Sequence, residues 1–423
     1  MEVIRIEGGH PIGGEVTVEG AKNSALKLMA ATILAPGVST LSNVPNIADV
    51  HVMGKVLKEL GAKIEVADEH TLVIDTSSVD KWETPYHLVA QMRASTAVLG
   101  PLLGRFGRAT VAMPGGCNIG ARKIDMHILG LEALGVKFDI DHGDICATTP
   151  SGLCGSDVTL EFASVGATEN LMMAAVCAKG TTTIDNAARE PEIVDLANML
   201  NEMGAKVRGA GTPVIEVEGV QELHPVEHRV VGDRIEAGTF IAMAGVCGGP
   251  LIVKGFEPIH LGLVLKKYEL MGLTIERGEH QCTISRTGDL RPVDIQTLPF
   301  PGFPTDMQAQ TMCALALAKG NCIVTENVFE NRFMFASELS RMGADIVIEG
   351  HHAIVHGVKA FSGAQVKAPD LRGGAALVMA GLVADGTTTV SDIYHIDRGY
   401  ERFVEKLTSI GAHVERVEVP DIE

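Results

Sequence analysis

Six times along the chain, a helical run ends on a glycine and gives way to a strand. The segments are LKELGAKIEV (57–66), LEALGVKFDI (131–140), LNEMGAKVRG (200–209), YELMGLTIER (268–277), LSRMGADIVI (338–347) and LTSIGAHVER (407–416). Their glycines are Gly61, Gly135, Gly204, Gly272, Gly343 and Gly411, spaced by 74, 69, 68, 71 and 68 residues. A glycine in this place predicts a left-handed helix cap followed by an extended chain. A second segment recurs about 24 residues upstream of each: APGVSTLSNV (35–44), RFGRATVAMP (105–114), AKGTTTIDNA (178–187), CGGPLIVKGF (247–256), AKGNCIVTEN (318–327) and ADGTTTVSDI (384–393). Each predicts a glycine cap and a β-branched strand. Before each lies a helix of small residues, such as NSALKLMAATILA (23–35) or LRGGAALVMAGLVA (371–384).

The repeat predicts an α/β fold of six units, each reading helix, strand, helix, strand pair. The last unit ends at AHVERVEVPDIE (412–423) without its second hairpin strand. EVIRIEG (2–8) has the pattern of PVIEVEG (213–219) and is expected to supply that strand. Three units per domain then give one domain of 22–229 and a second of 1–21 plus 230–423. The active site is expected in a cleft between them.

Composition narrows the chemistry. Hydrophobic residues make up 46% of 423 residues, enough for large cores, while aromatics are only 4%, with the single Trp82. Those cores must be built from Ala, Val, Ile, Leu and Met. Lys and Arg number 35 against 53 Asp and Glu, a net charge of −18, with no basic stripe. Binding to a nucleic-acid backbone is therefore not expected. The longest nearly apolar run, AALVMAGLVA (375–384), is too short to span a bilayer, and Met1–Gly20 has no basic-then-apolar leader pattern. Eight cysteines occur without a C-x-x-C pair or zinc spacing, and His351-His352 falls in a turn. A cytoplasmic protein with reduced thiols, no metal and no membrane contact is the expectation.

Departures from the repeat point to function. From the strand-opening glycine to the helix-ending glycine the six gaps are 24, 28, 24, 23, 23 and 25 residues. The surplus in the second unit lies in MPGGCNIGARKID (113–125), a glycine-rich loop carrying Cys117 and Arg122. Most cysteines are small apolar core residues, as Cys177, Cys247 and Cys313 are expected to be. A thiol among glycines beside a cation is instead the setting of a reactive one. Fourteen residues before each strand glycine stand Asn23, Arg93, Gly166, Ile235, Asp306 and Arg372, with Lys22 and Asp370 adjoining. Capping of orphan N–H groups accounts for Asp306 as well as function does. It does not account for Lys22, Arg93 or Arg372, cations set against the helix dipole, which point to a bound anion. Ser164-Val165-Gly166 adds a small-residue helix start open to close backbone approach. A later set of loops carries Arg189-Glu190, Glu257, Asn331-Arg332 and Asp397-Arg398. Together these residues suit group transfer between phosphorylated substrates.

EGAKNSAL (19–26), MRAS (92–95), PGGCNIGAR (114–122), SVGATEN (164–170), FPTDMQAQ (303–310), ENRF (330–333), DLRGG (370–374) and DRGYE (397–401) occur in order over essentially the whole chain. In these segments the sequence closely resembles the UDP-N-acetylglucosamine 1-carboxyvinyltransferase family. The resemblance implies two inside-out α/β domains of three units each. It implies transfer of the enolpyruvyl group of phosphoenolpyruvate to the 3′-hydroxyl of UDP-N-acetylglucosamine, with release of phosphate and without a cofactor. This is the opening step of peptidoglycan synthesis, and so of cell-wall growth, cell shape and division. It implies Cys117 as proton donor to carbon 3 and as the residue alkylated by fosfomycin, and Asp306 as candidate base. Lys22, Asn23, Arg122, Arg332, Arg372 and Arg398 match positions that hold phosphoenolpyruvate, Lys22 and Arg398 among the catalytic ones. Asn23, Arg93, Arg122, Lys123, Ile124, Asp125, Met126, Ser164, Val165, Gly166, Asp306 and Val328 match contacts to the nucleotide sugar. One departure stands out: some members carry lysine where this chain has Phe162. Two alternatives are a 5-enolpyruvylshikimate-3-phosphate synthase-like transferase, which lacks the cysteine loop, and a non-catalytic sugar-nucleotide-binding paralogue. Against the latter, every implied catalytic position holds a chemically competent residue.

Overall fold

The computed structural model describes residues 1–89, 92–112 and 124–420. The chain divides into two compact units. A terminal unit comprises Met1–Glu19 and residues 232–420, and an inserted unit takes the described residues of 20–231. Each unit has its own core of buried apolar side chains, with few aromatics among them.

Helices fill the interior of each unit. In the inserted unit these are Lys22–Ala31, Leu99–Phe106 and Val165–Ala175; in the terminal unit they are Arg234–Cys247, Gln308–Leu315 and Leu371–Val383. Arg234–Cys247 is buried at every position but its last, and Gln308–Leu315 is buried throughout. A helix buried on all sides has no polar stripe to show, which is why these segments are rich in Ala, Gly, Met and Thr rather than amphipathic. Small residues let the backbones come close. A Cβ at Gly100 would lie 2.4 Å from the carbonyl oxygen of Asn170, so Leu99–Phe106 can meet Val165–Ala175 only with glycine there.

Three sheets surround the helices of each unit. Five have four strands and one has three, among the described residues. The hairpin strands alternate buried and exposed positions, as in Val214–Glu218, which turns Ile215 and Val217 inward. All six repeat glycines lie in the left-handed region, with φ of 108° at Gly61, 93° at Gly135, 98° at Gly204, 106° at Gly272, 98° at Gly343 and 95° at Gly411. An L side chain there would be strained, so the helix-to-strand turn selects glycine each time.

Glu2–Glu7 runs antiparallel to both Thr387–Ser391 and His413–Glu418, with Ile4 opposite Val390 on one side and Arg416 on the other. The sheets also contain a kind of strand that the repeat does not predict. Gly14–Thr17, Asp157–Thr159, Glu227–Arg229, Ile295–Gln296 and Gln365–Lys367 each add a short parallel strand at a sheet edge. These strands of two to four residues are too short to carry a periodicity. In the remaining sheet the corresponding edge is a single bridge, Glu83 to Thr110.

A buried charge cluster fastens the terminal unit. Glu236, in the first turn of Arg234–Cys247, accepts from Lys406 Nζ at 2.9 Å and from the backbone N–H of Glu19 at 3.2 Å. Burial pushes the Glu236 carboxyl up to about 7; the nearby Asp233 adds to the shift, and Lys406 only partly offsets it. Lys406 faces Glu236, Glu19 and Glu401, which together raise it against its own burial. The folded state thus binds the Glu236 proton more tightly than the unfolded chain does. That contribution is complete below pH 4.5, the ordinary glutamate value, and is lost as pH rises through about 7. We expect Glu236→Gln to flatten the fall in urea midpoint between those pH values. An unchanged slope in the variant would contradict the assignment.

Candidate active site

In the terminal unit, the turn Thr305–Met307 leads into Gln308–Leu315 and places Asp306 against two arginines. Arg332 Nη2 donates to Asp306 Oδ1 at 2.9 Å, and Arg372 Nη2 donates to Oδ2 at 3.1 Å. Both arginine side chains are almost fully buried, at 3% and 4% exposure, while the Asp306 side chain keeps 23%. The clamp therefore presents its carboxylate outward and its cations from behind. Arg372 stands in the first turn of Leu371–Val383, where Asp370 caps the N–H groups of Arg372 and Gly373 at 2.9 and 3.1 Å. Its guanidinium carbon lies 5.3 Å from the ring centre of Tyr400. Burial alone would push this guanidinium down. The facing Tyr400, Asp306 and Asp233 outweigh it, and Arg372 is held charged above its ordinary value. Tyr400 is fixed in turn by a hydroxyl contact of 2.9 Å to Thr239, which also accepts from Gln310 Nε2 at 3.0 Å.

Glu326 organises the ground beneath Asp306. The hydroxyls of Thr297 and Thr305 each donate to it at 2.9 Å, and the N–H groups of Val328 and Phe329 donate at 2.8 and 3.1 Å. One buried carboxylate thus sets both the turn that carries Asp306 and the loop that carries Val328. Arg398 follows the short helix Tyr394–Asp397 and is half-buried.

In the inserted unit, Lys22 opens the helix Lys22–Ala31 and Asn23 follows it. Lys22 Nζ is 2.9 Å from Asp49 Oδ2, both side chains being below a tenth exposed. A cation at this helix start is thus balanced by a carboxylate of the next helix, Ala48–Glu59. A second group forms around His127. Ile124 precedes the helix Asp125–Ala133, which carries Asp125 and Met126 in its first turn. Ser164 caps Val165–Ala175, accepting from the N–H of Ala167 at 3.3 Å. A Cβ on Gly166 would lie 3.1 Å from the His127 ring, so this glycine gives the imidazole room. Asn170 Nδ2 lies 3.1 Å from His127 Nδ1, and Asn170 Oδ1 accepts from the N–H of Gly100 at 2.7 Å. His127 thus joins the helix that carries Asp125 and Met126 to Gly166 and Asn170 of Val165–Ala175. Phe162, two residues before the cap, is 40% exposed and offers a ring where a cation was a possibility. Arg93 opens the short helix Arg93–Val98. Cys117, Arg122, Lys123 and the side chain of Arg93 lie outside the described residues.

Sequence reasoning missed Asp49, Glu326, His127 and Asn170. Asp49 and Glu326 had no signal, because their partners are distant in sequence. Asn170 stood in view inside SVGATEN, but nothing in the sequence marked it as a buried residue of the helix Val165–Ala175.

Residues 6–407 match the family model of EPSP synthase (3-phosphoshikimate 1-carboxyvinyltransferase). The chain is 54% identical over 419 residues to UDP-N-acetylglucosamine 1-carboxyvinyltransferase 2 of Carboxydothermus hydrogenoformans, covering 99% of this chain and 100% of that one. It is 51% identical over 412 residues to UDP-N-acetylglucosamine 1-carboxyvinyltransferase of Mycobacterium tuberculosis, covering 97% and 98%. The chain belongs to the UDP-N-acetylglucosamine 1-carboxyvinyltransferase family. Membership in this family makes it an enzyme of the carboxyvinyl-transferring class. Among solved structures, the enolpyruvyl transferase NikO from Streptomyces tendae superposes with a TM-score of 0.89 at 26% identity, covering 99% of each chain. EPSP synthase from Acinetobacter baumannii superposes with a TM-score of 0.76 at 18% identity, covering 99% of this chain and 100% of that one, and shares the fold. The fold is thus the inside-out α/β architecture common to enolpyruvyl transferases, with helices within and sheets outside. Among the described residues, no helix is long and apolar enough to cross a membrane.

Proposed function

We propose that this enzyme transfers the enolpyruvyl group of phosphoenolpyruvate to the 3′-hydroxyl of UDP-N-acetylglucosamine and releases phosphate. The observation that carries this reading is 54% identity over 99% of the chain to a relative bearing that name. The reaction adds the sugar oxygen to carbon 2 of phosphoenolpyruvate and a proton to carbon 3. The tetrahedral adduct then loses a proton from carbon 3 and expels phosphate. Asp306 takes the hydroxyl proton, Cys117 delivers the proton to carbon 3, and Lys22, Arg122, Arg332, Arg372 and Arg398 balance the phosphate and carboxylate. Asn23, Arg93, Arg122, Lys123, Ile124, Asp125, Met126, Ser164, Val165, Gly166 and Val328 take the nucleotide sugar. The clamp on Asp306 supports its part, because a base must be held in one place to be within reach of its proton. We place the step at the start of peptidoglycan synthesis, in the cytoplasm, with fosfomycin as a covalent inhibitor at Cys117.

Phosphate release tests this. It is expected with phosphoenolpyruvate and UDP-N-acetylglucosamine, to stop with fosfomycin, and to be absent with shikimate 3-phosphate. Release only with shikimate 3-phosphate would overturn the substrate assignment. Cys117→Asp is expected to keep turnover while resisting fosfomycin, since a carboxylic acid can still donate a proton but opens an epoxide poorly. Continued inactivation of that variant by fosfomycin would remove Cys117 from the role.

A further inference from the structure

The exposed face of the sheet that joins the two chain ends carries a cluster with no part in the proposed chemistry. Glu7 ends the strand Glu2–Glu7 and stands directly opposite His413, the first residue of His413–Glu418. His10 comes from the turn that follows. The imidazoles of His10 and His413 are stacked, with ring centres 3.6 Å apart and planes 11° from parallel. His10 Nε2 lies 3.8 Å from one Glu7 oxygen, and His413 Nδ1 lies 3.6 Å from the other. One ligand atom from each residue falls within 4.8 Å of the other two. We propose that Glu7, His10 and His413 form a binding site for a borderline divalent cation, best suited to Zn²⁺.

The donor set is the argument. Two neutral imidazoles and one carboxylate are ligands that zinc accepts, with bonds of roughly 2.0–2.2 Å. Tetrahedral bonds of that length set ligand atoms about 3.3 Å apart. The imidazole-to-carboxylate distances of 3.8 and 3.6 Å, one to each Glu7 oxygen, exceed this by about 0.5 and 0.3 Å, and one ligand atom from each residue lies within 4.8 Å of the others. The rings stand nearly parallel, so binding requires both side chains to rotate until their in-plane lone pairs meet on one ion. All three side chains are solvent-accessible, at 68% for Glu7, 36% for His10 and 54% for His413, so an ion has a path in and water can complete the shell. The next charges along this face, Arg5 and Glu415, pair with each other at 3.3 Å and leave the cluster to itself. Hard cations such as Mg²⁺ prefer oxygen donors and do not fit a site with two nitrogens. The bound ion would join residues 7 and 10 to residue 413, so that it ties the first strand to the last.

Zinc chloride is titrated by calorimetry into the full chain stripped with EDTA, beside His10→Ala/His413→Ala and Glu7→Gln. The parent is expected to bind one equivalent at these residues. The double variant is expected to lose that equivalent, and Glu7→Gln to weaken it by about tenfold or more, at least what loss of an outer-shell partner costs. Zinc is expected to raise the melting temperature of the parent and not that of the double variant. Metal-free melting of the variants shows that each is folded. The inference is overturned if the parent takes up no zinc. It is equally overturned if the double variant binds zinc with unchanged stoichiometry and affinity, the result that uptake at the cysteine thiols would give.

Discussion

Asp306→Asn is expected to lower kcat by roughly a hundredfold to ten-thousandfold while UDP-N-acetylglucosamine still binds. The carboxylate receives Arg332 on one oxygen and Arg372 on the other, at 2.9 and 3.1 Å. An amide matches that shape but loses the base, and it turns one NH2 group toward a guanidinium. The loss therefore falls on proton transfer, with a smaller penalty in stability. Asp306→Ala is the harsher change, because it leaves two nearly buried cations facing each other without their shared partner. Phosphate release gives kcat, and calorimetry gives binding of the nucleotide sugar. A fall in binding that accounts for the whole loss of rate would make Asp306 a sugar-holding residue and not the base. Full activity in Asp306→Asn would remove it from both roles. Glu326→Gln offers a contrast. It disturbs the turn that carries Asp306 without touching its charge, so its cost in kcat should be smaller than that of Asp306→Asn.

What the sequence displayed of this fold follows from a local cause. Each helix-ending glycine is demanded by a backbone angle that other residues rarely adopt, and that demand recurs six times. EVIRIEG and PVIEVEG share a pattern because Glu2–Glu7 and Val214–Glu218 are both central strands, flanked on either side within their sheets. The short parallel strands left no such mark. Ile295–Gln296 is a pair of residues whose strand character comes from its neighbour Asn321–Thr325. The candidate site divides along the same line. Asp306 and Arg372 were conspicuous because they stand at one offset in the repeat, with Lys22 one residue from it, and Lys22 and Arg372 oppose a helix dipole. That Asp306 joins Arg332 and Arg372 was not legible, because the partners lie 26 and 66 residues away and only the packed helices bring them together. Lys22 showed itself as a cation, while Asp49, which balances it, looked like any acidic residue in a first helical turn. Buried partners of this kind become visible only when the core is assembled.

Lys27→Met should cost about 3–5 kcal/mol of stability at neutral pH, the usual result of removing one partner of a buried ion pair. Lys27 belongs to Lys22–Ala31 and reaches Glu169 in Val165–Ala175, with Nζ 2.7 Å from Oε2. The Glu169 side chain is 1% exposed and that of Lys27 14%. Burial pushes the Glu169 carboxyl up, Lys27 draws it down, and Glu192 and Glu190 add to the upward push. Without the ammonium, three acidic groups would share the interior with one compensating charge fewer. The sign of the pH dependence follows. A carboxyl raised in the folded state favours folding most when protonated, so the deficit of Lys27→Met should shrink as pH falls toward the ordinary glutamate range and grow as pH rises. Adding Glu169→Gln should recover much of the loss at neutral pH, because the uncompensated charge leaves with it. Urea melts of the parent, both single variants and the double variant close the cycle. If the two single costs simply add in the double variant, the pair carries no coupling, and Glu169 is stabilised by something other than Lys27.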